Sequence, residues 1–419
     1  MRRIWVWQVA FVAAVLASVA GAADWTRFRG SDGSGVSDEK GVPTTWSATE
    51  NVVWKTELPG AGASTPITVG DRVFVTCYRE MKGETAGTIE RLLVCVDRRD
   101  GRQRWYRTVQ AKPNEDRNAG FLQSHGFASS TPTTDGERVY VLFGKSGVVA
   151  YDLEGQQLWQ TDVGSGSAMM GWGSASSPIV YKNMVIVTAS AESKSLIALD
   201  GKSGKEIWKT PADGFAGSWS TPVLVNVGDK QELVISVPYE LWGFNPDTGE
   251  LLWFSEGIQE GAICPSVVAK DGIVYAIGGR SGGAVAVKAG GRDDVNKTHV
   301  VWKKSVGSYV TSPVIVGDHL YWVHDNGIAI CLDTKTGDTV YRQRLDGARQ
   351  LYASVTAADG KLFAVTRDNG TFVLAAEPKF EQLAHNKLEG AGTCNASPTV
   401  SRGQLLLRSD KFLYCLGKK

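Results

Sequence analysis

The stretch that opens on Thr221-Pro222, runs through Leu233-Val234-Ile235-Ser236-Val237 and ends on Asn245, Gly249 and Trp253 is the clearest copy of a unit written eight times along the chain. Its opening step returns as a Pro preceded by Ser, Thr or Cys at Pro66, Pro132, Pro178, Pro222, Pro265, Pro313 and Pro398, and Val355 takes that place in one further copy. Proline lacks the ladder donor, so it marks the first residue of a strand. A polar turn follows, as Gly70-Asp71 and Gly317-Asp318 or as Asp135-Gly136, Asp271-Gly272 and Asp359-Gly360. Such dipeptides supply the positive φ of tight hairpins. Next comes a β-branched and aromatic run, such as Val73-Phe74-Val75 or Val139-Tyr140-Val141, and a second turn (Asp325-Asn326-Gly327, Asp368-Asn369-Gly370) leads to a third strand. After a longer first gap the copies are spaced in the forties. That is the period of a four-stranded β-propeller blade.

The third turn is the most regular part of the unit. A small residue, a spacer, an Asp or Asn, a turn Gly and then an aromatic ring recur as Cys95, Asp97, Gly101, Trp105, as Ala198, Asp200, Gly204, Trp208, and as Gly243, Asn245, Gly249, Trp253. Ala150, Asp152, Gly155 and Trp159 form a copy one residue shorter, and Cys331, Asp333, Gly337 and Tyr341 carry a phenol instead of the indole. A large flat ring needs a surface free of side chains, which the small residue of one blade and the turn Gly of a neighbour can provide. Trp54, Trp105, Trp159, Trp208, Trp253, Trp302 and Tyr341 are therefore expected to dock blades together.

The last copy begins at Ser397-Pro398 and stops at Cys415-Leu416-Gly417, after three strands. Its missing fourth strand, with a Trp, stands near the other end as Asn51 to Leu58 around Trp54. Pairing the two halves closes a ring and leaves no long open edge. The sequence thus predicts an all-β, eight-bladed propeller of four-stranded antiparallel blades, one domain over 51–419, preceded by an extension over 24–50. Seven blades is the alternative if the seventh copy, with Phe380 where Trp is expected, is not a full sheet.

Residues 1–23 read as a secretory signal peptide: Arg2 and Arg3, an apolar stretch from Val9 to Val19, then Ala20-Gly21-Ala22-Ala23. That stretch is short for a membrane span, and no Cys follows the cleavage region to carry a lipid. A soluble exported protein, periplasmic or secreted, is expected. The formal net charge of +1 comes with no long basic run, so nucleic acid is not an expected partner. Of the 6 cysteines, Cys95, Cys331 and Cys415 occupy the small-residue position; Cys77 and Cys95, on consecutive strands of the first blade, could pair in an oxidising compartment.

These motifs resemble the PQQ-type repeat of quinoprotein alcohol dehydrogenases, with its Ala-x-Asp-x-x-x-Gly-x-x-x-Trp docking motif; the same repeat builds the non-catalytic propeller BamB of outer-membrane protein assembly. Asp24-Trp25-Thr26-Arg27-Phe28-Arg29-Gly30, followed by Gly33 and Gly35, is similar to the opening of secreted PQQ-like propeller proteins, notably of planctomycetes. The likeness covers nearly all of the mature chain and is specific for fold, while activity on such a fold depends on the site.

The enzyme branch of that resemblance implies PQQ held by Ca²⁺, basic side chains, a stacking Trp and a disulfide of adjacent cysteines, with an Asp as base. Residues just before each opening step are expected to rim the central channel: His125, Trp172, Trp219, Tyr309, Arg349, Tyr352, Cys394 and Asn395. This aromatic, slightly basic set suits a flat anionic ligand. Yet no two cysteines are adjacent, and Glu260 is the nearest carboxylate, so no catalytic residue, metal site or cofactor is assigned, PQQ with Ca²⁺ being the alternative. Two insertions lie on the same predicted face, Arg79 to Glu90 and Thr108 to Ala128, the second including Lys112-Pro113-Asn114-Glu115-Asp116-Arg117 and Phe121. Long loops on a rigid scaffold are common binding elements. The expectation is a monomeric, exported, non-catalytic propeller that binds a protein partner or small ligand there. A PQQ-dependent alcohol or sugar dehydrogenase is the alternative; carbohydrate binding is permitted by the rim aromatics but not selected by them.

Overall fold

The computed structural model describes residues 24–81 and 88–418. Residues 1–23, expected to be a signal peptide, the tip of the first insertion, 82–87, and Lys419 lie outside the described residues. Eight sheets, each with four antiparallel blade strands that follow one another in the chain in every blade but the last, form the predicted eight-bladed propeller. The fourth blade is the unit that opened the sequence reading: Val223–Val227, Lys230–Val237, Glu240–Phe244 and Leu251–Glu256. Its hairpins pair Val234 with Gly243 and Gly243 with Trp253. The seventh copy is also a full sheet, from Thr356–Ala358 to Gln382–Asn386, so the seven-bladed alternative falls.

Ring closure follows the predicted route. Val52–Glu57 pairs antiparallel with Phe412–Leu416, placing Trp54 opposite Cys415. A separate hydrophobic cluster fills each of the eight gaps between adjacent blades. The core is therefore a wheel of eight seams. Trp54, Trp105, Trp159, Trp208, Trp253, Trp302 and Tyr341 each lie in or against one of those clusters. A Cβ added at Gly101 would come within 2.8 Å of the Trp54 ring, at Gly204 within 2.5 Å of Trp159, and at Gly337 within 2.6 Å of Trp302. Trp54, Trp159, Trp208 and Trp302 also donate Nε1–H to the neighbour's turn, at the carbonyls of Arg98, Gly201, Pro246 and Thr334. Trp105 faces the turn that is one residue shorter, and its buried Nε1 finds no acceptor. Trp253 bonds Glu232 instead (2.7 Å), under a longer connection from the fifth blade that lays Asp293 alongside it.

Three local expectations are corrected. In the fifth copy the opening position belongs to Val267, not Pro265, because the inner strand starts at Val268 just as others start one residue after their Pro. In the seventh, the place opposite the third strand falls to Ala384, which pairs with Val373. Phe380 packs edge-on against Tyr341 of the previous blade, with centroids 5.6 Å apart. Strand register also separates Cys77 from Cys95: their partners are Leu92 and Phe74, and all six thiols are free.

The Ser or Thr before each Pro has a role the proline obscured. Thr65 N–H donates to Thr131 Oγ1 on the next blade, Thr131 to Ser177, Ser177 to Thr221, Thr221 to Ser266, Ser266 to Ser312, Ser312 to Ser354, and Ser354 to Ser397, each at 2.9 or 3.0 Å. Backbone donors at the head of each inner strand, which no fellow strand can satisfy, are thus met by the neighbour's hydroxyl. This belt runs around the axis and breaks at one point, where Thr65 Oγ1 is buried without a partner.

The extension before the propeller lies across its base. Trp25 exchanges hydrogen bonds with Thr68 of the first blade, Thr26 O accepts from Thr134 of the second, and Arg29 donates to Pro313 O of the sixth. Val36–Ser37 then adds a parallel strand to the seventh blade. Trp46 is buried between the seventh and eighth blades beside Phe363.

Candidate functional site

The axis of the propeller holds a chamber of about 790 Å³, the open solvent at its mouth included. Its wall is the hydroxyl belt, represented by Thr65, Ser177, Thr221, Ser266, Ser312, Ser354 and Ser397. Phe28, carried on the N-terminal segment between buried Arg27 and Arg29, reaches it from below. Phe121 reaches it from above. That ring sits on helix α1, Gly120–His125, which the second insertion carries over the channel mouth. Ring centroids put Phe121 5.2 Å from Trp172, 5.5 Å from Tyr352 and 5.7 Å from His125. On the far side of the mouth the helix is held at Ser124 O by Asn395 Nδ2 (2.8 Å) and Arg367 Nη2 (3.2 Å).

Two buried cations brace the insertion. Arg91, on the third strand of the first blade, lies 2.6 Å from Glu115 and donates to Phe127 O at 3.2 Å. Lys145, in the second blade, donates to Asn114 O (2.8 Å), Asp116 (3.0 Å) and Ser167 (2.9 Å). A buried charge is tolerated only when paired and hydrogen-bonded, so these contacts fix the loop to the blades beneath it. Glu192 of the third blade faces the same pocket; burial pushes its carboxyl above the usual range, and one oxygen is bonded by Ser174.

Of the residues expected at the rim, His125, Trp219, Tyr352 and Asn395 line the chamber. Trp172 stacks on Trp219 at 5.2 Å, and Trp219 donates Nε1–H to Gly173 O. The other three are elsewhere. Tyr309 turns to Arg280, whose guanidinium lies 4.7 Å from its ring. Arg349 is exposed and Cys394 does not line the chamber. Glu260 is spent on the backbone and hydroxyl of Ser281. Phe28, Cys264 and the belt hydroxyls are lining groups that the rim rule could not find, because they come from below the rim or from the strands themselves.

Comparison with known proteins decides the family. The family described as "Outer membrane protein assembly factor BamB" matches residues 48–214, 186–298 and 294–414. The chain belongs to the BamB family. The BamB of Burkholderia pseudomallei is 36% identical over 113 residues, 26% of this chain and 28% of that relative. Curated BamB relatives are thus matched over roughly a third of their length. In structure, the BamB of Moraxella catarrhalis superposes with a TM-score of 0.60 at 14% identity, over 88% of this chain and 99% of that one. A europium-containing methanol dehydrogenase gives 0.69 at 10% identity, over 94% and 98%. At such identities both show the fold alone.

What this BamB-family chamber can do follows from its groups. It is lined by no Asp, Glu, Lys or Arg among the described residues, and no cluster of three or more metal-ligating side chains occurs among them. PQQ is a tricarboxylate whose binding needs cations and, with Ca²⁺, oxygen ligands of high charge. The lining offers neutral hydroxyls but no cation and no carboxylate, and does not fit it. His125 Nδ1 lies 2.6 Å from Ser129 Oγ, and its Nε2 donates to Trp172 O at 2.9 Å. A carbonyl cannot donate, so Nε2 carries the proton and Nδ1 accepts. The spacing is that of a nucleophile and its base, but burial lowers the imidazole pKa to about 4, too weak to take a serine proton at neutral pH. The pair is a latch between insertion and rim.

Proposed function

We propose that this BamB-family propeller is an exported, non-catalytic scaffold whose loop-rich face docks a protein partner. The braced insertion carries the reading: 108–128 is an ordered surface held by buried ion pairs, while Asn114, Arg117 and Asn118 remain exposed. Beside it, Met170 and Tyr239 hold left-handed backbone (φ 61° and 70°) and are 77% and 54% exposed. Strain of this kind in non-glycine residues costs about 1–3 kcal/mol and clusters at binding sites. The relatives' name, an outer membrane protein assembly factor, supplies the class of partner. Purified outer-membrane assembly proteins of the same cell should bind the mature chain, and Met170→Asp with Tyr239→Asp should weaken that binding without unfolding it. Equal binding by the double variant would remove this face from the reading. Dye reduction with an alcohol, dependent on added PQQ and Ca²⁺, would overturn the non-catalytic part. Export predicts a mature N-terminus near Ala22 to Asp24, read by mass spectrometry of the periplasmic fraction.

A further inference from the structure

We propose that the axial chamber is a binding site for an uncharged ring-shaped molecule with apolar faces and a hydrogen-bonding edge, of which a monosaccharide is the matching class. Three properties of the lining select it. First, charge is excluded: the described lining has no ionised side chain, and His125 is neutral, so a charged guest would shed its water without a counter-charge. Second, the ends are aromatic. Phe28 closes one end, and Phe121, Trp219 and Tyr352 gather at the other; such rings pack against the C–H faces of a saturated ring. Third, the wall between them is rich in unspent donors. Every belt hydroxyl of the wall except that of Thr65 accepts one backbone N–H and donates to no acceptor among the described residues. Thr65 Oγ1, 1% exposed, has no partner at all.

Buried donors left unmet are costly. A wholly apolar guest would leave them so, and an anion would find hydroxyls but no cation. An edge of neutral oxygens receives their protons. Helix α1 covers the mouth, so entry requires Phe121 to move from between Trp172 and Tyr352. The insertion contributes Phe121 and His125 to the chamber, but Ala63→Leu and Ala175→Leu lie outside the docking face and Met170→Asp and Tyr239→Asp outside the chamber lining, so each reading can fail without the other.

The test is titration of the full mature protein with glucose, galactose, mannose and N-acetylglucosamine, with glucuronate as the charged counterpart, followed by calorimetry and tryptophan fluorescence. At least one neutral sugar should bind with Kd near a millimolar or below, and glucuronate at least about tenfold more weakly than glucose if glucose binds. Ala175→Leu, and on another blade Ala63→Leu, fill the chamber without touching the belt. Each should weaken binding at least about tenfold while leaving the circular dichroism unchanged; two positions guard against one variant failing to fold. No response to any neutral sugar up to about 100 mM, undiminished binding in the filled variants, or tighter binding of glucuronate would each overturn the proposal.

Discussion

At the scale of single residues, the seams depend on glycines whose importance differs by what lies above them. Gly204 has φ +70° and a Cβ there would sit 2.5 Å from the Trp159 ring, whereas Gly70 has φ +54° and open space. Gly70→Ala should cost about 1–2 kcal/mol from its left-handed backbone alone. Gly204→Ala adds a clash with a seated indole and should cost about 3–5 kcal/mol, read by urea denaturation. His125 makes a prediction of a different kind. Its pKa is about 4 in the fold against 6.5 when free, and Phe121, Ser129 and the Trp172 carbonyl face it with no carboxylate among them. Between these values the unfolded chain binds a proton that the folded chain refuses, so stability falls as pH drops from about 6.5 to 4 and levels off below. His125→Gln should remove that part of the slope, on the order of 2–3 kcal/mol.

At the scale of elements, the hairpin dipeptides and the small-residue/Trp spacing made the strands readable, because each is a local requirement met by a few residue types. What the sequence concealed is relational. Thr221 before Pro222 looked like a companion of the proline, yet its hydroxyl serves the blade before it. Phe380 stood at a plausible spacing, but a longer turn moved the register to Ala384. The insertion read as a loop because the cations that hold it, Arg91 and Lys145, come from strands and turns of the blades beneath. Lys145→Met should therefore release the insertion while leaving the blades intact: trypsin should cut after exposed Arg117 several times faster, with the far-ultraviolet spectrum unchanged. The rim rule found four lining residues of the chamber and missed Phe28, since its segment reaches the axis through long-range bonds to Thr68, Thr134 and Pro313.

At the scale of the whole molecule, stability is distributed over eight seams, and the seam that joins the chain's two ends is one of them. Trp54→Ala removes a ring from that closure, together with its 2.8 Å bond to Arg98 O, and should cost about 3–5 kcal/mol. A thiol count reports the wheel's integrity. Cys77, Cys95, Cys331 and Cys415 are fully buried, and burial pushes Cys264 and Cys394 up to about 12. At pH 8 the folded protein should react with a thiol reagent very slowly, and all six should react in denaturant; a count of four there would mean a disulfide.

The closing strand also sets an order of events in time. Val52–Glu57 is synthesised before any of the seven sequential blades, while its partner Phe412–Leu416 follows all of them. Throughout translation the early strand waits with an unpaired edge and a bare indole. Until its partner strand arrives, the nascent chain is an open arc with a sticky end, so a chaperone that shields extended segments would act on residues around Trp54, and truncation within the last blade would leave that end permanently exposed to aggregation.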